Sequence, residues 1–300
     1  MYSRERRQFR FKDKHYSIIF LAPAMIALLG CTLYPMIYSL WISLTGWNLK
    51  RPETRGVFVG FRNYLDVLIG KEFWDALSVT FRFSILSVVC SLIIGTLVAL
   101  LMYQGLRGNA IVRSFIISAM ILAPIVVGTA WRMMYNPTGG IINYFLELIG
   151  IGAKPFLSEK ATVIPALVAT DVWQWSPLVM IIVLAALQGL PLEVFESSKI
   201  DGANSINTLI HITIPMIKPS ILLATLIRTM DSFRTFDTIF AMTKGGPGTA
   251  SQNLNIIMYN TGFESFRIGR ASAMSLLSLV LITVTCTIIL RLFQRNDSLV

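Results

Sequence analysis

Charge is the first thing this chain is short of. Only 14% of its 300 residues are Asp, Glu, Lys or Arg, against 54% that are apolar. An ordinary soluble domain carries about a quarter charged residues, so this composition excludes one and describes an all-α integral membrane protein. Histidine and cysteine are scarcer still. His15 and His211 lie far apart, and Cys31, Cys90 and Cys286 sit singly in apolar runs, so neither a metal site nor a disulfide framework is supported. The cysteines read as small buried hydrophobes. Also missing is the phosphate loop GxxxxGK(S/T), whose backbone cradle and Lys hold ATP. Lys71 and Lys244 lack its surroundings. No nucleophile stands with a base, and no cluster of His, Cys and carboxylates has ligand spacing, so no catalytic residue, bound metal or cofactor is expected in this chain.

The net charge of +10 invites a nucleic-acid reading, but Lys and Arg are scattered over tails and loops with no basic stripe. In membrane proteins such residues act as topology signals. Arg4, Arg6, Arg7, Arg10, Lys12 and Lys14 precede the first apolar run and place the N-terminus in the cytoplasm.

What is present is length without charge. Uncharged runs extend over His15–Leu49, Phe83–Leu106, Ser114–Trp131, Val172–Leu192 and Ala271–Leu290. Each approaches or exceeds the roughly 20 residues that span hydrocarbon. A further run from Pro219 to Met242 is apolar apart from Arg228, Asp231, Arg234 and Asp237. Six transmembrane helices follow, at about 18–45, 79–103, 111–135, 162–189, 217–242 and 271–292, behind a basic tail over 1–17. An even number of spans returns the C-terminus to the cytoplasm. Twelve Lys and Arg then fall inside and ten outside, so the bias rests on the tail. The outer loops are short, and no soluble catalytic unit fits in them. Phe61–Leu68 and Glu72–Leu77 read as interfacial helices with Trp47, Tyr64 and Trp74 as anchors.

The loop 190–219 is punctuated like a helical hairpin. Pro191 suits a first helical position, Glu193 its positive end, and Gly202 a left-handed stop. Ser205 can cap a second short helix through His211, interrupted by Pro215 and Pro219.

Two spans carry polar faces. Arg228, Asp231, Ser232 and Thr235 share one side of the fifth span at i, i+3, i+4 and i+7. Intramembrane charges are expensive facing lipid, so these face protein, water or one another. Either Arg and Asp form an inert ladder along the helix, Arg234 with Asp237 included, or the stripe lines a solute path. In the fourth span Asp171 precedes Gln174, Trp175 and Leu178. Asp and Gln can bind hydroxyls while an indole stacks on a sugar face, or the Trp residues form an interfacial belt.

The hairpin also carries a resemblance. Glu196-Ser197-Ser198, three residues, Gly202, nine residues and Ile212-Thr213-Ile214-Pro215 match the EAA motif of membrane subunits of binding-protein-dependent ABC importers. Asp201, Ala203 and Pro219 fit its carbohydrate-importing branch, the maltose-type and glycerol-phosphate-type permeases. Leu21-Ala22-Pro23-Ala24, Tyr34-Pro35, Phe58 to Tyr64, Asn136-Pro137 with Gly139, and Gly245-Gly246-Pro247 are similar too. The motif departs in Ser197 and Ser198, alanines in the family, and in Ile214, a leucine there.

That resemblance implies a type I ABC importer permease fold with a cytoplasmic helix-turn-helix coupling loop, in the bacterial inner membrane. It implies a non-catalytic subunit paired with a second homologous permease and two cytoplasmic ATPase subunits, which bind ATP and Mg. An external solute-binding protein would deliver a sugar or related polyhydroxy solute. Carried over by position, Glu196, Ser197, Ser198, Asp201, Gly202, Ile214 and Pro215 couple to the ATPase. Asp171, Gln174, Trp175, Leu178, Arg228, Asp231, Ser232 and Thr235 match the solute-facing positions. The rival expectation is an ion-coupled secondary transporter using the intramembrane Asp and Arg.

Overall fold

The computed structural model describes residues 20–105 and 108–297, with side chains to 294. The basic tail, the first two residues of the first span and Arg107 lie outside the described residues. Among those described, helices account for nearly all regular structure, and only isolated bridges such as Thr45 with Phe58 occur otherwise. The helices are α1 Phe20–Ser43, α2 Arg62–Ile69, α3 Lys71–Tyr103, α4 Asn109–Ile121, α5 Pro124–Met134 and α6 Ile141–Leu148. There follow α7 Val163–Gln188, α8 Leu192–Ile200, α9 Ser205–Arg234, α10 Asp237–Thr243, α11 Leu254–Tyr259 and α12 Ile268–Asp297. By length and apolarity α1, α3, α7, α9 and α12 can each cross a membrane, and α4 with α5 can make a sixth, broken crossing.

The chain divides into two compact units, residues 1–69 with 260–277, and 70–259 with 278–300. In the first, α1 stands with its apolar side chains exposed and ends against α2. Asn63 Nδ2 donates to the carbonyls of Ser43 at 2.7 Å and Thr45 at 2.8 Å, satisfying the orphan acceptors of the helix end. The stretch Phe58–Tyr64 is thus a cap for α1. Phe61 precedes α2, whose interfacial reading agrees with its exposed Leu65, Leu68 and Ile69. Glu72–Leu77 forms no separate interfacial helix. It is the first turns of α3, because nothing after Gly70 interrupts helical hydrogen bonding.

In the second unit α3 and α7 make the most extensive helix pair, with α9 packed on both. The face α3 turns inward is small: Ala76, Thr80, Ser84, Ser87, Ser91, Gly95 and Ala99 recur every three or four residues and are buried. Small residues let backbones approach closely where lipid offers no hydrophobic drive. At Gly95 the approach is tight, since an added Cβ would stand 2.6 Å from Val179 Cβ and 2.8 Å from the Ser176 carbonyl. Gly95→Ala should therefore cost about 1–3 kcal/mol through overpacking, seen as a lower melting temperature in detergent with helicity retained.

The third predicted span, 111–135, is not straight. It bends by 100° between α4 and α5. Pro124 forces the residue before it into extended geometry, and Ala123 has ψ 133. The fifth, 217–242, differs at both ends. Its helix begins at Ser205 and stops at Arg234, with Thr235 extended and α10 starting afresh at Asp237.

Pro215 and Pro219 do not interrupt it. Immediately before Pro215 the helix widens into a π turn, Leu209–Thr213, in which Ile214 N–H donates to Leu209 O. The wider ring relieves the clash between the proline ring and the carbonyl one turn back. The same device stands in α1, where Leu29–Leu33 is a π turn closed by Tyr34 N–H before Pro35.

Candidate functional site

The hairpin between α7 and α9 has the helix, turn and helix that its punctuation predicts, but its second helix does not end near His211 and runs on as α9, and two caps are shifted. Pro191 is the N-cap of α8 rather than its first residue. Asn204, not Ser205, caps α9, its side chain accepting from Asn207 N–H at 2.8 Å. Gly202 turns the chain at φ 75°, with no atom near its missing Cβ, so glycine is required there for conformation and not for space. Asp201, Gly202 and Ala203 donate backbone N–H groups to Ser197, Lys199 and Ser198, closing α8.

The hairpin surface is mixed. Glu196, Ser197 and Asp201 are exposed, among exposed Leu192, Ile200, Ile206 and Ile210. Ser198 is buried and its Oγ donates to Phe195 O at 2.8 Å, so it packs the hairpin from within. Ile214 and Pro215 are exposed on α9 just past the π turn.

The two polar faces meet at depth. Arg228 Nη2 donates to Asp171 Oδ2, an ion pair between α9 and α7, and Ser87 Oγ on α3 donates to the same oxygen. Arg228 is 0% exposed and Asp171 2%. Asp231, one turn from Arg228 on its own helix, is half-buried and is not its partner; the ladder along the fifth span does not form. Nor do Arg234 and Asp237 share a helix, since α9 ends between them and Asp237 occupies the first turn of α10, where a carboxylate suits the positive end.

An unpaired charge at this depth would be costly, and breaking a buried pair typically costs about 3–5 kcal/mol. Arg228 Nε and Nη1, Gln174 Oε1, and Ser84 and Ser91 Oγ have no hydrogen-bond partner among the described residues. Gln174 Nε2 donates to Leu122 O at 2.9 Å, satisfying a carbonyl that the bend before α5 leaves free.

The eight path candidates therefore fall into two groups, on α7, on α9 and, for Thr235, just past the end of α9. Asp171 and Arg228 are buried where α3, α7 and α9 meet, Gln174 is buried against the break between α4 and α5, and Ser232 is buried on α9. Trp175, Leu178, Asp231 and Thr235 are half-buried, leaving part of each accessible. The Arg228 guanidinium also lies over the Trp175 ring, 5.9 Å from its centre, backing the indole with a cation.

The second break also has side-chain support. Asn255 Nδ2 donates to Phe233 O at 2.8 Å, and Asn253 Nδ2 to Thr235 O at 2.6 Å. These asparagines and Ser87 are functional-looking residues that sequence reasoning missed. The stripe Ser84, Ser87, Ser91 on an apolar helix was a readable signal for Ser87. Nothing local marks Asn253 or Asn255, because their acceptors exist only once α9 has broken.

The half-helices α5 and α10 pack together beyond the two breaks. A Cβ on Gly128 would lie 2.9 Å from Ala241 Cβ, and Thr238 Oγ1 donates to Pro124 O at 3.4 Å. Past their ends, opposite the 190–204 hairpin, a cleft of about 400 Å³ is lined by Arg132, Asn136, Pro137, Thr243, Gly246 and Pro247 among others. Asn136-Pro137 and Gly246-Pro247, two family-like motifs far apart in sequence, thus share one surface. None of the eight path candidates lines it.

Residues 91–297 match the family model described as the binding-protein-dependent transport system inner membrane component. The chain is 35% identical to a probable ABC transporter permease, y4oQ of Sinorhizobium fredii, covering 97% of this chain and 93% of that one. It is 31% identical to the trehalose/maltose transport system permease MalF of Thermococcus litoralis, over 96% of this chain and 97% of that one. It is also 31% identical to the trehalose transport system permease SugA of Mycobacterium tuberculosis, over 95% and 90%. In fold it is similar to a chain of a bacterial ABC transporter involved in import of the acidic polysaccharide alginate. The TM-score is 0.83 at 21% identity, with 97% of this chain and 99% of that one covered.

Proposed function

The chain belongs to the family of binding-protein-dependent transport system inner membrane components, multi-pass non-catalytic permeases of ABC importers, and from that premise we propose that it passes a sugar or related polyhydroxy solute inward. In this reading an external binding protein delivers the solute, a second homologous permease completes the path, and two cytoplasmic ATPase subunits bind ATP and Mg. The N- and C-termini and the 190–219 hairpin lie in the cytoplasm. Family membership leaves the ion-coupled alternative without support, and the pairing of Arg228 with Asp171 removes the free charge ladder that suggested it.

The observation that carries the mechanism is the continuity of α9. Its 30 residues run from the hairpin turn to Arg234 without a break, about 45 Å at 1.5 Å per residue. A helix docked in a groove of the ATPase would turn nucleotide-driven closure into displacement of that rod. Glu196, Ser197 and Asp201 supply the exposed polar contacts, Leu192 and Ile206 the apolar ones, and Ser198 and Gly202 hold the hairpin's shape. Ile214 and Pro215 mark where the docked part becomes the membrane rod.

Solute contact falls to the half-buried set. Trp175 offers an indole face for stacking on a sugar, and Asp231 and Thr235 can accept from its hydroxyls. Trehalose and maltose appear in the names of relatives that match over nearly the whole chain, which supports a saccharide. The cleft at the opposite end, where the Asn136-Pro137 and Gly246-Pro247 loops meet, is the surface we assign to the binding protein.

The test is reconstitution. An ATPase subunit should copurify, and uptake into proteoliposomes should require it, the binding protein and ATP. Full uptake by the purified chain alone would overturn the proposal. Within that system Asp231→Ala should raise the solute concentration for half-maximal uptake at least fivefold; unchanged kinetics remove Asp231 from the path.

A further inference from the structure

The geometry points to Asp171, Arg228 and Ser87 as a permanent tie that makes α7 and α9 move as one body, and not as ligands of the solute. The inference deepens the reading above and rests on it, since it takes the hairpin as the place where force enters. Asp171 lies on the helix that enters the hairpin, Arg228 on the helix that leaves it, and Ser87 on the helix packed against both. Two helices joined through α8 and the Gly202 turn, and otherwise packed by apolar side chains such as Leu187 and Ile217, can slide past one another when the hairpin is pushed. A charge-assisted bond far from the turn removes this freedom, because it fixes direction as well as distance.

Burial gives the second argument. Arg228, Asp171 and Ser87 have essentially no accessible surface, so a solute contacting Trp175 or Asp231 meets the outside of the seam. Opening the pair to admit a solute would leave both charges uncompensated in a dry setting, so it stays closed through the cycle.

The experiment measures uptake against solute concentration in the assembled transporter. Single replacements can fail to assemble because each leaves one member of the pair buried alone, so the decisive variant is the double Asp171→Leu/Arg228→Met, which removes both charges of the pair and leaves only the half-buried Asp231 one turn away. Apolar contact is non-directional and resists sliding poorly. Maximal uptake per assembled complex should fall at least tenfold, with the half-saturating solute concentration changed less than threefold. A half-saturating concentration raised tenfold or more at unchanged maximal rate would show that the pair binds solute and overturn the inference, as would wild-type kinetics. Glu196→Lys run in parallel separates the two levels. If coupling survives that change while the double loses maximal rate, the hairpin reading fails and the tie stands.

Discussion

Replacing Arg228 by methionine alone is expected to be among the most damaging single changes in this protein, at about 3–5 kcal/mol of stability. The magnitude follows from what remains behind. Asp171 keeps only the Ser87 hydroxyl, in a position 2% exposed to solvent. Since domains of this kind have only about 5–15 kcal/mol in hand, the variant should express poorly and lose its folded fraction in detergent by tens of per cent at growth temperature. The double Asp171→Leu/Arg228→Met should recover most of that loss, because exchanging both partners for apolar groups removes the stranded charge. Thermal unfolding followed by fluorescence-detected size-exclusion chromatography checks both. Equal damage in the single and the double would mean that the pair is not what stabilises the seam.

Charge reversal at Glu196 is expected to leave that stability untouched and to abolish work instead. The side chain is exposed on α8, outside the packed seam, and surface substitutions away from special features usually stay within about 0.5 kcal/mol. At a docked interface, however, truncating or reversing a charge facing its counterpart costs about 2–5 kcal/mol, roughly 30- to 4000-fold in complex stability. Glu196→Lys should therefore insert and melt like the native chain, while solute-stimulated ATP hydrolysis drops at least tenfold. Full coupling in that variant would count against docking through this hairpin.

The hairpin was legible because its signals are local. Pro191, Gly202 and the cap of the second helix, read one residue late at Ser205 instead of Asn204, act within a few residues of themselves, and helical termini are decided by backbone groups that near neighbours satisfy or fail to satisfy. The bend before α5 was legible in principle, through Pro124. By contrast Pro215 and Pro219 misled, Pro215 for a definite reason. A π turn adds one residue to the hydrogen-bonded ring, and whether a helix takes that option or stops is not fixed by the proline alone.

The polar faces show where reading residue by residue ends. Helical periodicity correctly put Asp171 with Gln174 and Arg228 with Ser232, and the cost of intramembrane charge correctly implied that they face protein. Which charges pair was another matter. The spacing of Arg228 and Asp231 favours a bond along one helix, and the structure makes it across two, because α3 presents small residues and lets α7 and α9 close on each other. The half-buried and buried members of the site alternate along the same helices, so no pattern in either segment separates them.

By itself the sequence determined that this is a helical membrane protein lacking the GxxxxGK(S/T) phosphate-loop motif, where most of its apolar helices lie, and where a punctuated hairpin interrupts them. These follow from composition, from the length of apolar runs and from short-range backbone geometry. Only the tertiary structure decided that Arg228 belongs to Asp171, that α9 runs unbroken from the hairpin and stops at Arg234, and that Asn253 and Asn255 satisfy the carbonyls freed there. Each depends on groups brought together from more than 15 residues apart or on a choice between two helical ring sizes. Packing makes those selections, and no local window of residues contains them.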